Sequence, residues 1–383
     1  MNTDSERMLD KILNEIASSL NISDTMFDKA VKSYEAVGAW IGDAEYVGDI
    51  KVFPQGSFGL GTVVRPLTDE DDGYDIDLVS LMENGFNLDE KSIKNLIGTR
   101  LKENKIYKGK LEPEGKRCWT LNYDGFHMDI LPCAPRHRIY LEPDFREIRL
   151  TNKIDAETYE PRFSNPQNYI EWFENRMLIR LNEEKNAYSY RNKVDIESVK
   201  TYKVRTPLQK AIQLLKRHRD IMFENSENAP ISIIITTLAA YSYNNEVNLF
   251  DALKNILFKM PQFIKINSEG NFQILNPVLP EENFADKWNL EPEKSEAFFR
   301  WLKKAQLDII ENPLSVFGLK NVSSKLEIAF GKRITEKSLI EMAIRDRKLR
   351  EDGNLYINGL TGGITSKASI NTKKIGGHTF FGK

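Results

Sequence analysis

Two aspartates, Asp75 and Asp77, flank one isoleucine in the run Tyr74-Asp75-Ile76-Asp77-Leu78-Val79-Ser80-Leu81-Met82. The apolar residues around them read as a β-strand, where positions two apart share a face. The two carboxylates therefore project together, and Ile76 and Leu78 point the other way. Like charges on one edge repel and are costly to bury without a cation between them. Aspartate is also depleted in strands, so a chance exposed strand is a poor account of the pair. Hard oxygen ligands on one face suit Mg²⁺, which keeps several waters and takes one or two carboxylates plus substrate phosphates. Upstream, a short strand over Ile50–Phe53 stops at Pro54, and Gln55-Gly56-Ser57 turns the chain. Glycine lets a backbone approach a ligand closely, and successive N–H groups in such a turn form an anion nest. The Ser57 hydroxyl adds a hydrogen bond for a phosphate oxygen. A Gly-Ser pair by itself is an ordinary turn; the Asp-x-Asp downstream gives it weight.

A Gly-Ser turn, Asp-x-Asp on a strand and a third carboxylate on a later strand resemble the DNA polymerase β-type nucleotidyltransferase superfamily. The fuller text, P-Q-G-S-F-G-L-G-T-V-V-R-P followed by Y-D-I-D-L-V, resembles bacterial CD-NTases. These are relatives of cyclic GMP-AMP synthase that make cyclic oligonucleotide signals for anti-phage (CBASS) defence. The likeness extends more weakly over most of the chain. It implies an α+β fold: a polymerase β-like lobe with a mixed sheet and helices, a mostly helical C-terminal lobe, and an active site in the cleft between them. It also implies two Mg²⁺ ions, with Mn²⁺ able to substitute, and ATP and other ribonucleoside triphosphates as substrates.

The elements that must position these groups follow in order. Met8, Leu9, Ile12, Leu13, Ile16 and Leu20 recur at helical spacing. A second helix, capped by Ser23 or Asp24, carries Met26, Phe27, Ala30, Val31, Tyr34, Val37 and Ile41. The resemblance makes the first helices braces for both lobes; plain amphipathic helices account for the residues equally well. Leu67–Gly73 is an acidic run, read as a solvated loop rather than extra ligands. Asp89–Asn104 is helical. A strand over Arg117–Asn122 turns at Asp124-Gly125, a hairpin signal, into Phe126-His127-Met128-Asp129-Ile130-Leu131. Phe126, Met128 and Ile130 share one face; His127, Asp129 and Leu131 share the other. The resemblance makes Asp129 the third carboxylate and metal ligand beside Asp75 and Asp77. His127 is read as a neighbour, because Mg²⁺ prefers oxygen.

Pro132–Pro161 reads as a polar insertion or lobe connection, and the change of lobe is placed near residue 165. The expected organisation is a nucleotidyltransferase lobe over 1–165 with N-terminal bracing helices, a helical lobe over 166–351 and a flexible tail over 352–383. Thr206-Pro207 opens a helix, with Pro in its first turn and Leu208, Ala211, Ile212, Leu215 and Met222 as its stripe. Lys216 lies at the edge of that stripe. Ala229-Pro230-Ile231-Ser232 opens another helix, apolar nearly all round and so expected to be buried. Read without the resemblance, Lys216 belongs to a solvated basic face with Arg217 and Arg219, and Ser232 is a plain helix start. The resemblance instead gives Lys216 and Ser232 contacts to the nucleotide's phosphates, together with Gln55, Gly56 and Ser57. Phe298, Phe299, Trp301 and Leu302, within Pro292–Ile310, read as core.

Composition narrows the classes. The chain has 383 residues, 40% of them hydrophobic, and a net charge of −2, enough for two cores. No run approaches the roughly 18 uncharged apolar residues of a membrane span. Met1–Arg7 lack the basic and apolar regions of a signal peptide, so a cytoplasmic protein is expected. Cys118 and Cys133 have no metal-type spacing and fit a reducing compartment. No zinc-finger spacing is present, and the charge announces no basic channel, so double-stranded DNA is not expected as an activator. No Ser-His-Asp, Cys-His or Walker-type loop stands out. A transferase acting on RNA or a protein hydroxyl is the rival enzyme, and a non-catalytic nucleotide-binding scaffold the rival of another class. A monomer is expected when free. The end of the chain is rich in Gly, Ser, Thr and Asn, then closes on His378-Thr379-Phe380-Phe381-Gly382. Aromatics there suggest a docking peptide. In the resembled family such tails are conjugated by a ubiquitin-conjugation-like enzyme, or a HORMA-domain protein binds a peptide. Lys383 departs from the terminal Gly or Ala that conjugation uses.

Overall fold

The computed structural model describes residues 3–43, 49–67, 73–138, 146–193, 195–196, 204–224, 226–358, 364–365 and 372–375. Its centre is a six-stranded mixed sheet: β1 (Ile50–Pro54), β2 (Tyr74–Met82), β3 (Trp119–Tyr123), β4 (Phe126–Pro135), β5 (Ile148–Lys153) and β6 (Tyr159–Ser164). The order is β1-β2-β4-β5-β6, with β3 also paired to β4. β2 and β4 run parallel; every other pair is antiparallel. The Asp124-Gly125 turn joins β3 to β4 with Gly125 at φ 89°, the left-handed region that glycine enters without strain. β4 carries β3 against its first half and β5 against its second.

The helices are α1 (Asp4–Ser19), α2 (Asp24–Gly42), α3 (Gly56–Gly59), α4 (Glu90–Glu103), α5 (Lys105–Lys108), α6 (Pro166–Arg176), α7 (Leu178–Asn192), α8 (Pro207–Met222), α9 (Ser232–Ser242), α10 (Leu249–Lys259), α11 (Pro292–Ala305), α12 (Asn312–Leu314), α13 (Leu319–Phe330) and α14 (Lys332–Glu351). Local chemistry sets their starts. Thr3 with Glu6, and Thr206 with Gln209, form capping boxes, and Ser23 caps α2. Pro207 sits at the first turn of α8, where its missing N–H has no intrahelical role.

Two principal cores result. Ile76, Leu78, Phe126, Met128 and Ile130 fill one face of the sheet and pack against Phe27, Ala30, Val37 and Ile41 of α2 and Ile97 and Leu101 of α4. The larger core is helical, built from α6, α8, α9, α10, α11 and α13, and it includes Leu9, Ile12, Leu13 and Ile16 of α1. α1 therefore packs with the helices and α2 with the sheet, so the chain crosses between the two cores at Leu20–Ser23. α1 is fixed to α14 by the Lys11–Asp346 and Arg345–Glu15 ion pairs.

Two regions differ from the sequence reading. The described residues of Pro132–Pro161 form no polar insertion: they complete β4 and supply β5 and the start of β6. The charges mislead because Arg149, Lys153, Glu160 and Arg162 alternate with buried Ile148, Leu150 and Thr151, or lie on the edge strand. After Asp352, the described residues pair as a small antiparallel sheet, with Tyr356–Asn358 between Ile364–Thr365 and Thr372–Lys374. Leu355 beneath it is buried. The composition announces no strand there; β-branched Ile and Thr favour strands even in polar company. His378–Gly382 and Asp69–Asp72 lie outside the described residues.

Candidate active site

The sheet's second face bears the polar groups. The parallel register sets Asp77 opposite Asp129 and Asp75 opposite His127, so the three carboxylates rise from one face of two adjacent strands. Further along the same face the residues turn apolar: Val79, Leu81, Leu131 and Cys133 form a small core with Phe53. The polar groups therefore cluster at one end of β2 and β4.

Each carboxylate has its own setting. Asp77 is pushed up to about 7, chiefly by burial and then by the charges of Asp129 and Asp75; Lys216 opposes the shift. Asp75 is raised by burial and then by Asp129, with His127 opposing. Its side chain is nonetheless 74% exposed, so water screens much of that effect. Asp129 Oδ1 accepts a hydrogen bond of 2.5 Å from Thr120 Oγ1 on β3. His127 Nδ1 lies 3.8 Å from Asp75 Oδ1. Among the described residues no three acidic, imidazole or thiol groups close around one point. The carboxylates share a face without closing around one point. Their chemistry fits divalent cations: hard oxygen donors whose ionisation is opposed by burial and by one another, and which a cation would relieve.

The Gly-Ser turn sits against Asp77. Gln55 N–H donates to Asp77 O at 2.8 Å, which extends the β1–β2 pairing into the turn. Gly56 has φ 58°, and a Cβ there would lie 2.3 Å from Asp77 Oδ2. Only glycine admits both the conformation and the approach. Ser57 follows in α3, which is anchored by Phe58 stacked on Phe27 of α2 at 4.5 Å between ring centroids.

The helical core supplies the facing cations. Lys216 on α8 is buried, with Nζ 3.3 Å from both Thr62 O and Thr62 Oγ1. Burial, then Arg219, lowers it to about 8, while Asp220 and Asp77 oppose. Arg219 Nη1 donates to Ser232 Oγ at 2.8 Å and to Pro230 O at 3.1 Å, and the guanidinium pairs with Asp220. The segment Lys216–Arg219 is therefore no solvated basic face. Lys216 and Arg217 are buried, and Arg219 ties α8 to the first turn of α9. The structure thus sets Asp77 against the turn Gln55–Ser57, with Asp75 and Asp129 on the same sheet face; Lys216 reaches Thr62 in the segment after the turn, and Ser232 is bonded instead to Arg219, three positions further along α8.

The sequence gives no role to Thr62 or Thr120 and sets Arg219 only on a solvated basic face. Arg219 was accessible in principle, being three positions from Lys216 on a helix and so on its face. Thr120 lies opposite Asp129 in the β3–β4 hairpin, a relation the turn register implies. Thr62 carried no local signal.

The chain matches the model of the Second Messenger Oligonucleotide or Dinucleotide Synthetase domain over residues 8–176. That span holds the turn and all three aspartates. It is 33% identical over 310 residues to a c-di-GMP synthase of Roseivirga ehrenbergii, covering 78% of each chain. The chain belongs to the bacterial CD-NTases of the CBASS type. As such, this CD-NTase is a nucleotidyltransferase that makes a cyclic di- or trinucleotide from ribonucleoside triphosphates. It is also 24% identical over 349 residues to the cyclic dinucleotide synthase CdnG of Bradyrhizobium diazoefficiens, covering 86% of this chain and 82% of that one. The solved structure of that CdnG in complex with GTP superposes with a TM-score of 0.68 at 22% identity, covering 88% of this chain and 99% of the other. The DncV cyclic AMP-GMP synthase of Vibrio cholerae, at 16% identity, 87% and 89% coverage and a TM-score of 0.52, shares the fold. Among the described residues no helix is long and apolar enough to cross a membrane.

Proposed function

We propose that this CD-NTase joins two GTP molecules into c-di-GMP at the face bearing Asp75, Asp77 and Asp129. The choice of guanine rests on the c-di-GMP synthase that is 33% identical over most of both chains. The site rests on one observation above the others: Asp77 and Asp129 are register partners on neighbouring parallel strands, and Asp77 is pushed up to about 7 in their company. Two Mg²⁺ ions would fit this donor set: Asp75 and Asp77 would hold them, with Asp129 on one, and they would supply charge neutralisation for phosphoryl transfer.

The residues have distinct tasks. Gln55, Gly56 and Ser57 offer the turn's N–H groups and the Ser57 hydroxyl to the triphosphate. Lys216 and Ser232 face them from the helical side, with Arg219 holding the Ser232 hydroxyl. Asp129, oriented by Thr120, lies beside the attacking ribose hydroxyl. That oxygen forms a bond to the α-phosphorus of a second GTP, the bond to the β-phosphate bridging oxygen breaks, and pyrophosphate leaves with its electron pair. The hydroxyl proton passes to solvent. A second transfer within the linear product closes the ring and releases a second pyrophosphate. Phosphoryl transfer of this kind asks for positioning and electrostatics rather than covalent help from the protein.

The two sides of this cleft would be 1–165, whose α1 reaches across to brace the helical core, and 166–351. A tail-binding regulator of the HORMA or ubiquitin-conjugation type remains a proposal carried by His378–Gly382 alone. The test of base choice is competition: all four ribonucleotides together with Mg²⁺, each labelled in turn, and mass analysis of the product after phosphatase. Guanine alone should enter the resistant species. Entry of another base in equal measure would overturn the c-di-GMP reading.

A further inference from the structure

Residues Leu60–Pro66, which follow the Gly-Ser turn, run between the two cores without regular secondary structure, and Leu60–Val63 are buried. Buried carbonyls in such a segment need partners. α8 provides them from one face. Gln209 Nε2 donates to Leu60 O at 2.9 Å. Gln213 Nε2 donates to Val63 O at 2.7 Å. Lys216 Nζ reaches Thr62 O, and Arg217 Nη2 donates to Arg65 O and to Pro66 O. Positions 209, 213, 216 and 217 recur at helical spacing, so one helix face serves as the template for the segment. The segment in turn bonds back to the turn: Leu60 N–H donates to Gly56 O at 3.1 Å and Thr62 N–H to Ser57 O at 2.9 Å.

Gln213 has a second partner. Its Nε2 also donates to Asn21 Oδ1 at 2.9 Å, and Asn21 lies in the Leu20–Ser23 crossing between α1 and α2. Arg65 N–H donates to Leu20 O in the same place. One fully buried amide thus joins the helical core, the crossing and the segment that carries the turn.

We infer that Gln213 is a positioning residue for nucleotide binding: through Val63 O it sets where the Gly56-Ser57 turn stands relative to the cations of α8. This rests on the reading of that turn as the phosphate-binding element. Gln213 touches no nucleotide, so its removal acts through the turn. It should raise the KM for GTP and leave the rate at saturating GTP largely intact, because the β2–β4 register and the Gln55 N–H bond to Asp77 O, which hold the aspartates, do not involve Gln213.

The test is a double-mutant cycle in the full-length protein with Mg²⁺ and GTP, pairing Gln213→Met with Ser57→Ala. Methionine keeps the volume and removes the donor. Gln213→Met should raise KM by about five- to thirtyfold, the effect of leaving one buried carbonyl unpaired. The double variant should show little beyond the larger single effect. Asn21→Ala, which removes only the bond to the crossing, should leave KM within about twofold of wild type. If Gln213→Met does not fold, as read by thermal melting, Gln213→Asn draws the same amide back by one methylene and should raise KM in the same cycle. Effects of Gln213 and Ser57 that simply multiply, or an unchanged KM in a folded Gln213 variant while Ser57→Ala raises it, would overturn the inference alone. An unchanged KM in Ser57→Ala would overturn the phosphate-turn reading and the inference with it.

Discussion

A Cβ on Gly56 would stand 2.3 Å from Asp77 Oδ2, so the turn and the central carboxylate touch across the space a side chain would need. The two are also joined by Gln55 N–H on Asp77 O. In the proposed site, glycine at this one position would let substrate phosphate and the Asp77 carboxylate share one small volume.

Gly56→Ala should accordingly push the turn and Asp77 apart, and it strains a backbone at φ 58°. The expected loss is about a hundredfold or more in kcat/KM, the scale of an ångström's misplacement at a reacting centre, with roughly 1–2 kcal/mol of stability. Steady-state product formation and a thermal melt on the same preparation check both.

The Asp77 carboxyl is raised from 3.8 to about 7, and the sign of its pH effect follows. Below about 4 the group is protonated in folded and unfolded chains alike and contributes nothing. Between about 4 and 7 the unfolded chain gives up the proton that the folded chain keeps, so stability should fall as pH rises and then level off above 7. A divalent cation should reverse the trend, since it binds the ionised form. In chelator, melting temperature should decline over this window in wild type and lose that slope in Asp77→Asn. That variant should be stabilised at pH 8 by roughly 1–2 kcal/mol, discounted for water in the cleft, while losing turnover. Wild type with no slope would show Asp77 ionising normally.

Thr120 holds Asp129 through a 2.5 Å hydrogen bond. Thr120→Val keeps the shape and removes the donor, leaving the carboxylate free to rotate. Apparent affinity for Mg²⁺ should weaken by about ten- to a hundredfold, as for other groups that orient metal ligands, with kcat at saturating metal far less affected. Rate measured against Mg²⁺ concentration separates the two.

Short-range pattern made much of this site readable. Asp75 with Asp77, and Asp129 with His127, are ordered by period two within single strands, and Asp124-Gly125 announced the hairpin that delivers β4. Pro207 and Thr206 marked the start of α8. What failed was long-range or compositional. Nothing local says that Lys216 ends against Thr62, 154 positions away, or that α1 leaves α2 to join the helical core. β5 escaped because its charges alternate with buried residues, as Arg149 does between Ile148 and Leu150, and β6 because it is an edge strand bearing Glu160 and Arg162. The strands after Asp352 escaped because Gly, Ser and Asn punctuate that stretch, so its β-branched Ile and Thr form no alternating run.

The central claim, that the aspartate face makes a cyclic guanine dinucleotide, is tested most directly by incubating the full-length protein with GTP and Mg²⁺, treating with phosphatase and weighing what survives. A resistant species of the mass of c-di-GMP, formed by wild type and absent from a folded Asp75→Asn/Asp77→Asn double variant, is the result expected. The same species at undiminished rate from the double variant, or GTP consumed only when an RNA or protein acceptor is added, would contradict it.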